Sequence, residues 1–199
     1  MWKLFVSFAL VSVISGCSLL AKPKVVDNAQ QQAPLPEALI ENYSKGLQLL
    51  KDSNWNDALP FWQNLSQTYA TYPGVWVNLA LVELHLEHWP QSQTYLDKAF
   101  ELNAEFCPAI KVQALLKRQQ GQFKDAEAGY LKALACDETD ASTAYNLAIL
   151  YDLYLQDLPQ ALAYYQKAQE LFNNSDENLA MWIADLQKRQ PKQLAGEGE

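Results

Sequence analysis

Glycine is scarce in this chain, 7 of 199 residues, and long stretches carry neither glycine nor proline. That scarcity argues against a turn-rich β architecture. Basic residues are also in short supply, 15 Lys and Arg against 23 Asp and Glu, for a formal net charge of −8. They form no cluster able to neutralise phosphates, so nucleic acid is not an expected partner. There is no Gly-rich phosphate loop, no Ser-centred elbow and no dense group of carboxylates. Catalysis, a cofactor and a small-molecule substrate are therefore not expected. The apolar run at residues 4–14 spans only 11 residues, too short for an ordinary membrane-spanning helix of about 20. What the chain does have is 49% hydrophobic residues, enough for a core. Its abundant Ala, Leu and Gln are good helix formers.

The N-terminus reads as an address. Lys3 precedes the short apolar run, and Ser15, Gly16 and Cys17 follow it, the layout of a secretory signal. The tetrapeptide Ile14-Ser15-Gly16-Cys17 resembles a bacterial lipobox. That resemblance implies cleavage after residue 16 and lipidation of Cys17 as the first mature residue, with a palmitate-type acyl chain among its lipids. Each buried methylene would add about 0.8 kcal/mol to membrane affinity. Ser18 rather than Asp follows the Cys, and by resemblance to Gram-negative lipoproteins this favours the outer membrane, with the body facing the periplasm. Residues 17–35, polar and punctuated by Pro34, read as the lipidated Cys and a flexible tether.

Shifting the chain on itself by 34 residues aligns Trp55, Trp89 and Phe123. The same shift aligns Ala58 with Ser92 and Ala126, Trp62 with Leu96 and Tyr130, and Leu65 with Ala99 and Ala133. Large residues stay large and small ones stay small. The pattern resembles the tetratricopeptide repeat, a helix–turn–helix unit of 34 residues. The resemblance implies an all-α, right-handed superhelical stack of antiparallel helix pairs, a TPR-like α-solenoid. Its domain would span residues 36–190, with units at about 39–72, 73–106, 107–140 and 141–175. Leu147, Ala148, Tyr151, Ala161, Tyr165 and Ala168 mark the fourth unit, with one extra residue between Tyr151 and Ala161. An irregular turn near Asp157-Leu158-Pro159 is expected. The first unit is the weakest, with Lys45 and Leu65 where Leu and Ala are usual. Leu179, Trp182, Ile183 and Leu186 recur at helical spacing and predict a capping helix over 176–190. Residues 191–199 should fray as a disordered tail.

In tetratricopeptide proteins the first helix of each unit lines a concave surface. Carried over position by position, the groove residues are Tyr43, Leu47, Val77, Asn78, Leu81, His85, Lys111, Leu115, Arg118, Tyr145, Asn146, Ile149 and Asp152. Tyr43 and Tyr145 are candidate anchors for an extended peptide or an amphipathic helix. Some relatives grip a terminal carboxylate with Lys, Arg and Asn. Here only Asn78 matches that clamp, while Gly74, Pro108 and Val112 occupy other lining positions, so a clamp is not expected.

Two pairs of residues could carry chemistry. His85 and His88 lie three apart with Glu83 and Glu87 nearby, but a zinc site needs three or four ligands and a third is not evident. Cys107 and Cys136 fall at the start and end of the antiparallel helices of the third unit. They are either a disulfide permitted by the periplasm or two free thiols. The resulting expectation is an outer-membrane lipoprotein adaptor that holds a protein segment of an envelope complex. Similar architecture occurs in lipoproteins that serve pilus secretin assembly or recruit cell-wall enzymes. The rivals are a metal-dependent hydrolase using His85 and His88 and a self-associating structural module.

Overall fold

Alanine and proline placement accounts for much of the local structure. Pro73, Pro90, Pro108 and Pro159 each sit at the first or second position of a helix. There a missing N–H costs nothing and the fixed φ suits helical geometry. The structure, a computed structural model, describes residues 35–174 and 176–189. The signal, Cys17, the tether to residue 34, Ser175 and the tail lie outside the described residues.

The helices run α1 (Glu37–Lys51), α2 (Trp55–Thr68), α3 (Pro73–His85), α4 (Trp89–Leu102), α5 (Cys107–Gln119) and α6 (Phe123–Cys136). Then follow α7 (Ala141–Ile149), a π-helical segment (Leu150–Leu155), α8 (Leu158–Leu171) and α9 (Glu177–Arg189). Consecutive helices pair as α1/α2, α3/α4, α5/α6 and α7/α8, and each pair packs on the next. Among the described residues there is no strand. The architecture is the TPR-like α-solenoid that the periodicity predicts.

The repeat columns become layers of the core. Ala58, Ser92, Ala126 and Ala161 are all fully buried, as are Trp62, Leu96 and Tyr130, with Tyr165 nearly so. Ser92 keeps its place in an alanine column because its hydroxyl donates to the Ala80 carbonyl at 2.8 Å, so no polar atom is orphaned. Gly46, Ala80, Ala114 and Ala148 occupy one further buried column. At Gly46 even a methyl group would run into the Trp62 indole, so the large ring and the missing side chain are one packing solution.

The turns inside the pairs repeat as strictly as the core. Ser53, Glu87 and Gly121 take a left-handed backbone, φ 54°, 63° and 74°. Each is followed by an amide bonded five residues back, Asn54 N to Leu49 O, His88 N to Glu83 O and Gln122 N to Lys117 O. These bonds satisfy carbonyls that a helix C-terminus leaves open. In the fourth pair the left-handed residue is Gln156, one step later than the period. The extra residue is therefore absorbed in the π-helical segment Leu150–Leu155, upstream of Asp157-Leu158-Pro159. One-residue insertions commonly take this form.

The C-terminal helix α9 closes the stack with Leu179, Ile183 and Leu186, which join the cluster containing Leu147, Leu150 and Tyr165. Its start is capped by Asp176, whose Oδ1 accepts from Leu179 N at 3.1 Å. Trp182 departs from the expected inward position. It is 42% exposed, because it flanks the buried stripe and leans onto Tyr145 of α7.

Candidate functional site

First helices of successive pairs stand side by side, and side chains link them across the face they share. Lys111 on α5 reaches the α7 N-terminus, its Nζ 2.9 Å from Ser142 Oγ and 2.8 Å from Asp140 Oδ2. Asp140 also caps α7, accepting from Ser142 N at 3.0 Å and Thr143 N at 3.3 Å. Burial alone would raise the Asp140 pKa. The Lys111 ammonium and the Ser142 and Thr143 hydroxyls reverse that and hold it at about 2. Farther along α5, Arg118 donates to Asn146 Oδ1 at 3.3 Å.

The candidate groove residues divide into two kinds. Val77 and Asn78 are buried, and Val77 belongs to the core shared by α3, α4 and α5. Tyr43 is half-buried and packs edge-on to Trp62 with ring centroids 5.0 Å apart. Its hydroxyl sits where a side chain on Gly74 would project. Burial raises the Tyr43 pKa, opposed by the nearby Asn78 amide. Tyr43 therefore knits α1 to α3. Leu47 is 45% exposed, and Leu81, Lys111, Leu115, Arg118, Tyr145, Asn146 and Ile149 are partly exposed. These form the accessible lining.

The C-terminal half of this face is the more elaborate. Tyr145 stacks on Trp182 at 5.9 Å and 16°, and both rings meet Tyr165. Asp152 accepts from Arg189 at 2.9 Å, and Arg189 also pairs with Asp185 at 2.8 Å. Trp182 and Arg189 thus extend the lining onto α9. Helical spacing points Trp182 at the end of the stack and says nothing of Arg189. The clue available in the sequence was that a capping helix takes the place of the next first helix, and so inherits its edge on the groove.

His85 and His88 are not brought together as ligands. The His85 ring lies flat on Trp55, centroids 3.9 Å apart, and burial lowers its pKa. His88 Nδ1 is 2.8 Å from Oε2 of the buried Glu83. Among the described residues, no group of three His, Cys, Asp or Glu side chains gathers to hold a metal ion. Cys107 and Cys136 are joined by a disulfide, Cα atoms 5.6 Å apart, closing the open end of the α5/α6 pair.

No family model and no curated relative matches the chain. Solved structures do. A thermophilic TPR protein of Thermus thermophilus is 26% identical, with a TM-score of 0.65 over 76% of this chain and 86% of that one. The Pseudomonas aeruginosa protein pilF is 19% identical, with a TM-score of 0.63 over 76% of this chain and 68% of that one. YrrB, a TPR protein with an unusual peptide-binding site, is 20% identical, with a TM-score of 0.52 over 74% and 75%. The 34-residue layers and turns, the side-by-side first helices and these likenesses give the chain the fold of tetratricopeptide repeat proteins.

Proposed function

We propose that this chain is a lipid-anchored adaptor of the Gram-negative envelope. Cys17 carries the acyl chains in the outer membrane, and the helical stack stands in the periplasm and holds a segment of another protein. The observation that carries the binding half is the continuous lining of Leu47, Leu81, Leu115, Tyr145, Ile149 and Trp182, apolar side chains left partly open on consecutive first helices and the cap. Exposed aromatic and aliphatic groups rimmed by polar ones suit an extended peptide or one face of a helix. YrrB, whose peptide-binding site is its named feature, supports a peptide as the kind of partner. The lipobox resemblance supports the anchor. The Cys107–Cys136 disulfide, exposed on its Cys136 side, suits an oxidising compartment. Anchoring raises the effective concentration of the groove for partners near the membrane. Such an adaptor fits envelope assembly, for instance of a pilus secretin, or recruitment of a cell-wall enzyme.

Crosslinked pull-down from intact envelopes tests both halves. The native chain should recover a defined partner that a Tyr145→Ala, Trp182→Ala variant loses, and Cys17→Ser should shift the protein from membrane to soluble fractions. Unchanged partners with both rings removed would reject the groove. Unchanged fractionation would reject the anchor.

A further inference from the structure

The accessible lining contains one cation that no carboxylate neutralises. On α3, α5, α7 and the π-helical segment, the charged groups of the groove are otherwise engaged. Glu83 faces His88, Lys111 holds Asp140, and Asp152 holds Arg189. Arg118 has no carboxylate partner among the described residues. Its one hydrogen bond is the long contact of 3.3 Å to Asn146, and its Nε is buried without an acceptor. A half-buried guanidinium whose Nε has no acceptor is costly to leave unsatisfied, about 1–3 kcal/mol. Partly exposed on the lining and with no carboxylate beside it, Arg118 marks a position that an acidic ligand would complete.

We propose that Arg118 is the specificity residue of the groove, and that it receives a side-chain carboxylate from an internal Asp or Glu of the bound peptide. The inference rests on the groove reading above. Leu115 lies one turn before Arg118 on α5, and Tyr145 and Ile149 flank its partner Asn146 on α7, so the acid should be flanked by aliphatic or aromatic residues. Two features favour an internal side chain over a chain terminus. Lys111, on the same face of α5, is spent on Asp140, so no second free charge converges on the site. The lining also continues past Arg118 in both directions, to Leu81 on one side and Trp182 on the other. The surrounding charge sets a limit as well. In a chain of net charge −8, a run of acids would be repelled, whereas a single acid facing one guanidinium forms a charge-assisted pair.

The test is selection from a random peptide library on the full chain, followed by binding of synthetic, C-terminally amidated peptides. Groove occupancy is established by loss of binding to Tyr145→Ala. Selected peptides should share one Asp or Glu between apolar residues. Replacing it with Asn or Gln should weaken binding about 10- to 100-fold to the native chain, and barely at all to Arg118→Met. Arg118→Lys should keep the preference for acid, and both variants should unfold at the native temperature. Groove-bound peptides with no acid preference, or with the same preference on Arg118→Met, would overturn the role of Arg118 and leave the groove standing. Binding that vanishes on amidation would overturn the internal side chain in favour of a terminus. Peptides indifferent to Tyr145→Ala would reject the groove itself.

Discussion

Single residues in this fold carry sharply different amounts of consequence. Gly46 is the extreme case, because the Trp62 ring occupies the space its side chain would need. Gly46→Ala should cost about 1–3 kcal/mol, as overpacking does, although alanine is the better helix former; a urea midpoint no lower than native would contradict the packing argument. Asp140 acts through its charge. Its folded pKa is about 2 against an ordinary 3.8, so ionised Asp140 stabilises the fold above the ordinary value. That contribution falls away as pH drops from about 4 to about 2. Denaturation midpoints of the native chain should therefore decline across that window. Asp140→Asn should be less stable at neutral pH, with a shallower decline in acid, and parallel curves would rule the mechanism out. Residue roles were only partly legible in the sequence. Lining positions followed from the repeat, but which of them a neighbouring helix would claim depended on contacts between pairs. Tyr43 is taken up by Trp62, Gly74 and Asn78. The link between Arg118 and Asn146 spans two units that no single repeat reveals.

At the scale of elements, the turns inside the pairs are the least obvious from composition. Only Gly121 shows the residue type that a left-handed φ favours, while Ser53, Glu87 and Gln156 take the same conformation with side chains attached. The recurrence comes from the helix ends on either side, which leave one way to reverse direction, and that constraint overrides residue preference. Left-handed backbone costs an ordinary residue about 1–2 kcal/mol, partly offset by the entropy glycine loses on folding. Glu87→Gly should accordingly raise stability by about 0.5–1 kcal/mol, and Gly121→Ala should lower it by a similar amount; opposite signs in a denaturant titration would refute this account. The same logic explains the one misplaced irregularity. The spacing showed that the fourth pair holds an extra residue, but not where the backbone would accommodate it. Leu150–Leu155 takes it up as wider helical turns before the reversal. The α5/α6 pair carries the only covalent brace among the described residues. Closing a loop of about 30 residues should contribute about 3–4 kcal/mol in the chain-entropy model. Replacing both Cys107 and Cys136 with Ser should lower the midpoint accordingly, and free thiols detected in unreduced, denatured native protein would contradict the brace.

The whole molecule has no single centre. Its core is a chain of three clusters, one through Trp62 and Leu79, one through Leu96 and Leu116, and one running from Tyr130 to Leu186. Each pair contributes to the interface before it and the interface after it, so stability passes along the stack by nearest neighbours. This is why the alternation of large and small residues was so informative in the sequence: every layer repeats the same contact. The end of such a stack lacks a following neighbour, and α9 supplies one with Leu179 and Leu186 fully buried. Under the proposed function the cap also bears on binding, because Trp182 stacks on Tyr145 and Arg189 pairs with Asp152 at the C-terminal edge of the lining. A defect in the cap should therefore stay local in its unfolding yet reach the site. Leu186→Ala should cost about 2–4 kcal/mol. In hydrogen exchange, amides of α8 and α9 should lose most protection and those of α3 and α4 little. Equal loss from α3 to α9 would show that the stack unfolds as one unit and that nearest-neighbour coupling is the wrong description.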